Sequence, residues 1–230
     1  MKILLIAGHG DGDCGAVGNG YYEADLTREV VKLLKPQLDG YADVTIADTK
    51  KNWHKHLIKQ GNYFNFKPYD YVLEIHFNSF NVKSANGTEI YVTRSEKSHG
   101  VETNIVNGIA KLGFTNRGVI PMNFDVIKYV KKQGVSSALL EVCFISNEKD
   151  MKNYQSKKNE IVKAIANGII VGFGLKGKAS ATVTSLADDC KLLASKGIID
   201  SPDYWAKGKG YSEANTVLLI KKFAKYVRGA

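Results

Sequence analysis

The chain has 230 residues, of which 44% are hydrophobic and 24% are charged, with only 4 prolines, and this composition excludes a disordered or fibrous protein. Lys and Arg outnumber Asp and Glu by 32 to 23, and the resulting net charge of +9 favours a polyanionic partner. Nucleic acid, anionic lipid and anionic cell-wall polymers all satisfy this charge, so composition alone leaves the three open.

The cysteines and the amino terminus bear on where the protein folds. Cys14, Cys143 and Cys190 are odd in number and lack a CxxC pair, so neither a disulfide framework nor a cysteine zinc cluster is predicted, and a reducing compartment is expected. The start, MKILLIAGHG, turns polar by Gly8, too early for the hydrophobic region of a signal peptide. No apolar stretch approaches the roughly 20 residues that span a bilayer, so we expect no membrane insertion.

Short apolar runs alternate with amphipathic segments over residues 1–175, which is typical of βα units in one domain. The predicted strands, in chain order, are residues 2–7, 43–47, 70–76, 88–93 and 136–142. The first predicted helix carries an apolar stripe and has Pro36 near its end, and its stripe consists of Leu26, Val30, Leu33, Leu34 and Leu38. Further helices are predicted at residues 52–60, 98–112 and 160–173. The fold class is therefore α/β, with a mostly parallel twisted sheet flanked by helices.

The composition changes after residue 175. The stretch GLKGKASATVTS has almost no bulky apolar residues, so we predict a linker at residues 176–184 and a small C-terminal all-helical domain at residues 185–230. Its helices are predicted at residues 186–196 and 212–226, around an SPDYW turn in which Ser201 can cap a helix and Pro202 can take the first helical position. Tyr204 and Trp205 in this turn are either core residues or sugar-stacking platforms.

Three side chains that can hold a metal or a proton stand at the carboxyl ends of predicted strands: His9, His76 and Glu141. Ligands of open α/β sheets bind beyond these ends, so the three converge if their strands are parallel. Glu23 joins them, because it opens the first long helix after the loop GHGDGDCGAVGNG. Two histidines and a carboxylate with an open fourth position form a catalytic zinc set, which predicts one Zn²⁺ on His9, Glu23 and His76. Glu141 would take and return a proton, as amide hydrolysis requires.

Each of these residues also has a structural interpretation. His9 could bond backbone carbonyls, His76 could be a satisfied core histidine, and acidic residues such as Glu23 are common in a first helical turn. Glu141 lies in the apolar run ALLEVCFI, where an unpaired carboxylate is costly to bury, and this favours a functional role. The glycine-rich loop lacks the Lys-Ser/Thr of a phosphate-binding P-loop, so no nucleotide site is predicted. Three further histidines are expected on solvated faces: His54, His56 and His99.

Five segments of residues 2–173 carry a common signature: ILLIAGHG, GAVGNGYYEADLTREVVKLL, VLEIHFNSF, NRGV and ALLEVCFISNEKD. Together they resemble the zinc-dependent N-acetylmuramoyl-L-alanine amidases of the type-3 amidase family. The resemblance implies zinc ligands at His9, Glu23 and His76 and a catalytic Glu141. It also implies hydrolysis of the bond between N-acetylmuramic acid and L-alanine in peptidoglycan. Asn78 completes the family's SIHxN pattern and would help to shape the substrate groove.

The chain departs from the family pattern at two places. The usual Ser of SIHxN is Glu74, which shares a strand face with His76 and would either orient the imidazole or form a structural ion pair. The segment before that strand, WHKHLIKQGNYFNF, lacks the Arg that the family often has. Both departures leave the zinc set intact and put substrate preference in doubt.

The resemblance, together with a start that lacks the hydrophobic region of a signal peptide, predicts a phage or prophage endolysin that lyses a Gram-positive host. It would wait in the host cytoplasm until release and then act on peptidoglycan and anionic cell-wall polymers, and nucleic acid is not expected as a partner. The alternatives are a bacterial autolysin of the same activity, a zinc carboxypeptidase, and a non-catalytic cell-wall binding protein on the same fold. The C-terminal helices resemble small modules of cell-wall hydrolases, and they would bind the wall, self-associate into a homo-oligomer, or simply pack on the catalytic domain.

Overall fold

A computed structural model describes residues 1–177 and 186–206. The chain divides into two compact units, Met1–Lys178 and Ala179–Ala230. In the part of the chain that the structure describes, no helix is both long and apolar enough to cross a bilayer.

The first unit is built on a six-stranded twisted sheet. The strands along the chain are β1 (Lys2–Ala7), β2 (Val17–Gly18), β3 (Tyr21–Tyr22), β4 (Asp43–Ile46), β5 (Tyr71–Asn78), β6 (Thr88–Val92), β7 (Asn116–Pro121) and β8 (Ser136–Phe144). The sheet order is β4-β1-β5-β8-β6-β7, and β2 and β3 form a separate antiparallel pair. Strands β4, β1, β5 and β8 are parallel, whereas β6 is antiparallel to β8 and parallel to β7. The predicted mostly parallel sheet is confirmed.

Helices cover both faces of this sheet. They are α1 (Glu23–Leu38), α2 (Gly100–Ala110), α3 (Asp125–Lys132) and α4 (Glu148–Gly172), with a π-helical turn at Lys55–Lys59. In β1, Ile3 and Leu5 belong to the core under α1, α2 and α4, while Leu4 and Ile6 belong to the core under α3 and the π-helical turn. This alternation follows from the period of two along a strand and explains why β1 reads as a continuous apolar run.

Several elements differ from the sequence predictions: the short strands β2 and β3 were not predicted, and the helix predicted at residues 52–60 is the π-helical turn Lys55–Lys59. Strand β7 was not predicted, because its residues are exposed or half-buried and carry no alternating apolar pattern. Helix α3 was not predicted either, because its buried Val126, Ile127 and Val130 repeat the helical spacing over little more than one turn. Helix α4 begins at Glu148 rather than residue 160, since its polar first half, EKDMKNYQSKKN, hides the helical period and Lys157 has non-helical angles (φ −128°).

The second unit is described only over residues 186–206. It contains α5 (Leu186–Ser195) and α6 (Pro202–Ala206). Cys190, Ile198 and Ile199 are buried together, and Trp205 packs against them, whereas the side chain of Tyr204 is exposed. The predicted helix at residues 212–226 and almost all of the predicted linker lie outside the described residues.

Candidate active site

The carboxyl ends of three parallel strands bring the predicted residues together. His9 follows β1, His76 lies near the end of β5, and Glu141 lies in β8, where it is the register partner of His76. Glu23 is the first residue of α1. All four side chains line one cavity of about 380 Å³.

His9, Glu23 and His76 form a compact set of donors. His9 Nε2 lies 3.0 Å from Glu23 Oε2, and His76 Nδ1 lies 2.9 Å from Glu23 Oε1. The two imidazole rings meet edge to face, with centroids 4.9 Å apart. One potential ligand atom from each residue lies within 4.8 Å of the others. Two imidazole nitrogens and one carboxylate oxygen at this spacing fit the ligand set of a catalytic zinc ion.

The loop between β1 and α1 reaches this arrangement through glycine. A Cβ atom at Gly8 would lie 2.6 Å from His76 Nε2, so only glycine lets the imidazole pack over the backbone there. At Gly15 (φ +67°) a Cβ atom would lie 2.6 Å from His9 Cδ2 and 2.7 Å from Glu23 Oε2. The two glycines therefore make room for the donor side chains.

Arg28 of α1 holds the same loop from behind, and sequence reasoning missed it. Its Nη1 donates to the carbonyl of Gly8 at 2.9 Å, and its Nη2 donates to the carbonyls of His9 at 3.0 Å and Thr49 at 2.6 Å. His9 has a left-handed backbone (φ 64°), which an L-residue seldom adopts without such support. The only sequence signal was a basic residue five positions after Glu23 in α1.

The proton affinities of the three donors shift in opposite directions. Burial alone would raise the pKa of Glu23, but hydrogen bonds from His76 and His9 outweigh it and hold that pKa far below its usual range. Burial would lower the pKa of both histidines, but their hydrogen bonds to Glu23 outweigh it and raise the pKa of each, strongly for His76. Without a metal, the site therefore holds an ionised carboxylate between two imidazoles that retain their protons, and a dication that binds there would displace those protons.

Glu141 lines the same cavity, but its carboxylate is less well hydrogen-bonded than that of Glu23. Its Oε2 is buried and has no hydrogen-bond partner among the described residues. Burial, opposed in part by His76, raises the pKa of Glu141 to about 8. A carboxyl group with a pKa near neutrality can both accept and return a proton, so Glu141 has the properties of a general acid–base.

Glu74 and Asn78 also line the cavity, on either side of His76 along β5. Glu74 Oε1 lies 3.2 Å from His76 Nε2. Asn78 Nδ2 donates to the buried Glu89 of β6, which also accepts hydrogen bonds from the Tyr91 hydroxyl and from Arg117 Nε of the NRGV segment. Sequence reasoning missed this network, because Glu89 lies in a strand recognised only by its apolar alternation.

The cavity lining also includes His54, for which a solvated face was expected. His54 Nε2 lies 3.1 Å from Asp125 Oδ2, and both residues line the cavity together with Asn52, Trp53 and Phe124. The expectation was incomplete because Asp125 belongs to α3, which the sequence pattern did not reveal. Cys14 is exposed and Cys143 is buried, and neither belongs to the donor set.

Known proteins resemble this chain in sequence and in fold. Residues 3–171 match the family described as N-acetylmuramoyl-L-alanine amidase. The N-acetylmuramoyl-L-alanine amidase LytC of Bacillus subtilis is 29% identical over 73% of this chain, which spans only 34% of the length of LytC. The endolysin of Bacillus phage SPP1 is 26% identical, over 87% of this chain and 77% of the endolysin.

The fold is also similar to that of a solved amidase domain. The catalytic domain of CwlV, an N-acetylmuramoyl-L-alanine amidase from Bacillus (Paenibacillus) polymyxa var. colistinus, superposes with a TM-score of 0.63 at 26% identity. The match covers 76% of this chain and 100% of the CwlV structure. Because the second unit, Ala179–Ala230, makes up less than a quarter of the chain, a match of this extent includes most of the first unit.

Proposed function

We propose that this chain, which belongs to the N-acetylmuramoyl-L-alanine amidase family, is a zinc-dependent enzyme that hydrolyses the amide bond between N-acetylmuramic acid and L-alanine in peptidoglycan. The observation that carries the proposal is one cavity that combines the His9, Glu23 and His76 donors with the unpartnered carboxylate oxygen of Glu141. Peptidoglycan is the substrate class of the family, and the cavity lies at the carboxyl ends of the parallel strands.

His9, Glu23 and His76 would hold one Zn²⁺. When bound at such a site, zinc polarises a carbonyl and lowers the pKa of water to about 7. Glu23 would compensate part of the positive charge, and each imidazole would contribute a lone pair once zinc has displaced the proton from the ligating nitrogen.

Glu141 would move the proton. It takes a proton from the attacking water and delivers it to the nitrogen of the L-alanine that leaves. Its raised pKa, which results chiefly from burial, makes both transfers accessible near neutral pH. Asn78, fixed by Glu89, would present its remaining polar atoms to the substrate groove.

The biological setting we propose is that of a phage or prophage endolysin, stored in the host cytoplasm and acting at the cell wall after release. The similarity to the SPP1 endolysin supports this setting, because the two chains match over most of both lengths. A bacterial autolysin of the same activity is the alternative, supported by LytC. The net charge of +9 would attract the chain to anionic wall polymers, and the second unit would add wall binding or self-association.

Digestion of purified peptidoglycan tests the reaction. The wild-type protein should release new L-alanine amino termini without new reducing sugar ends, and a chelator should abolish the release until zinc is restored. Glu141→Gln should lower the rate by about 10²–10⁴-fold, the range for loss of a general acid–base. Glu102→Gln is the matched control, because Glu102 is a buried carboxylate outside the cavity.

The outcomes separate the rival functions. New reducing ends would indicate a glycosidase, and release of carboxyl-terminal amino acids would indicate a carboxypeptidase. Full activity of Glu141→Gln would remove the proposed proton transfer. A wild-type protein that binds walls but releases nothing would favour a non-catalytic binding protein.

A further inference from the structure

Both imidazoles of the candidate zinc site contact a second carboxylate. His9 directs Nε2 to Glu23 and Nδ1 to Asp13 Oδ2, at 2.8 Å. His76 directs Nδ1 to Glu23 and Nε2 to Glu74 Oε1, at 3.2 Å. Each ring thus has one nitrogen facing the donor set and the other facing a carboxylate outside it.

The two outer carboxylates differ in their surroundings. The Asp13 side chain is 46% exposed and is also held by the backbone N–H of Gly15 and by Asn52 Nδ2. The Glu74 side chain is only 6% exposed, and its Oε2 has no hydrogen-bond partner among the described residues. Burying a carboxylate with an unpaired oxygen costs free energy, so its position in β5 calls for a compensating role.

The strand and the loop limit how the His76 ring can lie. Glu74 and His76 are two residues apart in β5, so both side chains leave the same face of the sheet, while Ile75 packs in the core on the other face. The backbone at Gly8 lies against the imidazole. A half-turn of the ring about its Cβ–Cγ bond would put Cδ2 in place of Nδ1 on the side facing Glu23 and Cε1 in place of Nε2 on the side facing Glu74, so both carboxylates select against it.

We propose that Glu74 is a positioning residue that accepts the Nε2–H of His76 and thereby directs Nδ1 toward the zinc ion. This inference rests on the zinc site of the proposed function. A carboxylate behind a zinc-bound imidazole fixes the tautomer and the ring orientation, and the loss of such a partner typically lowers metal affinity 10–100-fold.

Zinc affinity measured by chelator competition on the full chain tests this role. Glu74→Leu should weaken zinc binding about 10–100-fold, because it removes the acceptor. Glu74→Gln should lose much less, since its amide oxygen can still accept the Nε2–H. Glu102→Gln makes the same chemical change in a buried carboxylate bonded to Tyr71 and should leave zinc affinity unchanged.

A second measurement does not depend on how the variants fold. Long-range ¹H–¹⁵N spectra of the zinc-loaded wild type should show the His76 proton on Nε2 and none on Nδ1. Zinc coordination through Nε2 would overturn the inference. Glu74→Leu could also keep its zinc affinity while its unfolding temperature falls equally in zinc-loaded and chelator-treated protein. That result would overturn the inference and indicate that Glu74 forms only a structural ion pair with His76.

The wild-type measurement distinguishes failure of this inference from failure of the proposed function. A wild type that binds no zinc overturns both. A wild type that binds zinc and releases alanine termini, beside Glu74 variants of equal affinity, overturns only the role of Glu74.

Discussion

Replacing Gly15 with alanine tests how closely the loop is fitted to the donor side chains. Gly15 has a left-handed backbone (φ +67°), and an added methyl group would lie 2.6 Å from His9 Cδ2 and 2.7 Å from Glu23 Oε2. Gly20 provides a matched control, because it also has a left-handed backbone (φ +83°) but has no atom within 4 Å of the added methyl group. Both substitutions carry the backbone cost of about 1–2 kcal/mol, and only Gly15→Ala adds a collision with two proposed ligands.

The size of the effect follows from that collision. Overpacking by one methyl group typically costs about 1–3 kcal/mol. If His9 and Glu23 move aside to relieve it, this energy is lost from zinc binding, and at about 1.4 kcal/mol per tenfold the affinity falls roughly 5- to 140-fold. Amidase activity at limiting zinc should fall by a similar factor in Gly15→Ala and should stay near the wild-type value in Gly20→Ala.

The assay combines chelator competition for zinc with thermal unfolding of both variants. In the presence of chelator, both variants should lose the free energy of unfolding that the left-handed backbone costs an alanine, and Gly15→Ala should lose somewhat more because of its collision. Only Gly15→Ala should lose zinc affinity. Equal zinc affinity in the two variants would refute the argument that Gly15 is required by its distance from His9 and Glu23. It would also weaken the assignment of these residues as ligands.

Two further predictions concern the pH dependence of stability and the second unit. Burial raises the pKa of Glu102, so the folded chain holds that proton more tightly than the unfolded chain, and stability falls as pH rises from about 4.3 through the folded pKa. Glu102→Gln keeps an acceptor for the Tyr71 hydroxyl but cannot ionise. In urea unfolding, its stability relative to the wild type should therefore increase from pH 4 to pH 7. An equal difference in stability at the two pH values would contradict this. Deleting residues 179–230 should reduce sedimentation of the protein with cell walls, and undiminished sedimentation would remove the proposed wall-binding role of the second unit.

Some of the fold was accessible to pattern reasoning because burial leaves a period in the sequence. Strand β1 and helix α1 bury nearly all of their apolar positions, so their residue types reveal both the element and its covered faces. Strand β7 and helix α3 were not predicted for the opposite reason, since an exposed edge strand and an eight-residue helix carry too little of that period. The missed helix α3 also explains why the place of His54 beside the cavity was not foreseen.

The sequence alone determined which residues could carry the chemistry. Polar side chains at the ends of apolar strands indicated His9, His76 and Glu141, because parallel strands end at one edge of a sheet, and a helix start after a glycine-rich loop indicated Glu23. Only the tertiary structure decided which atoms face one another. Three contacts depend on register and packing between segments and leave no period in the sequence. They join Glu74 to Nε2 of His76, Arg28 to the carbonyl of His9, and Glu89 to Asn78.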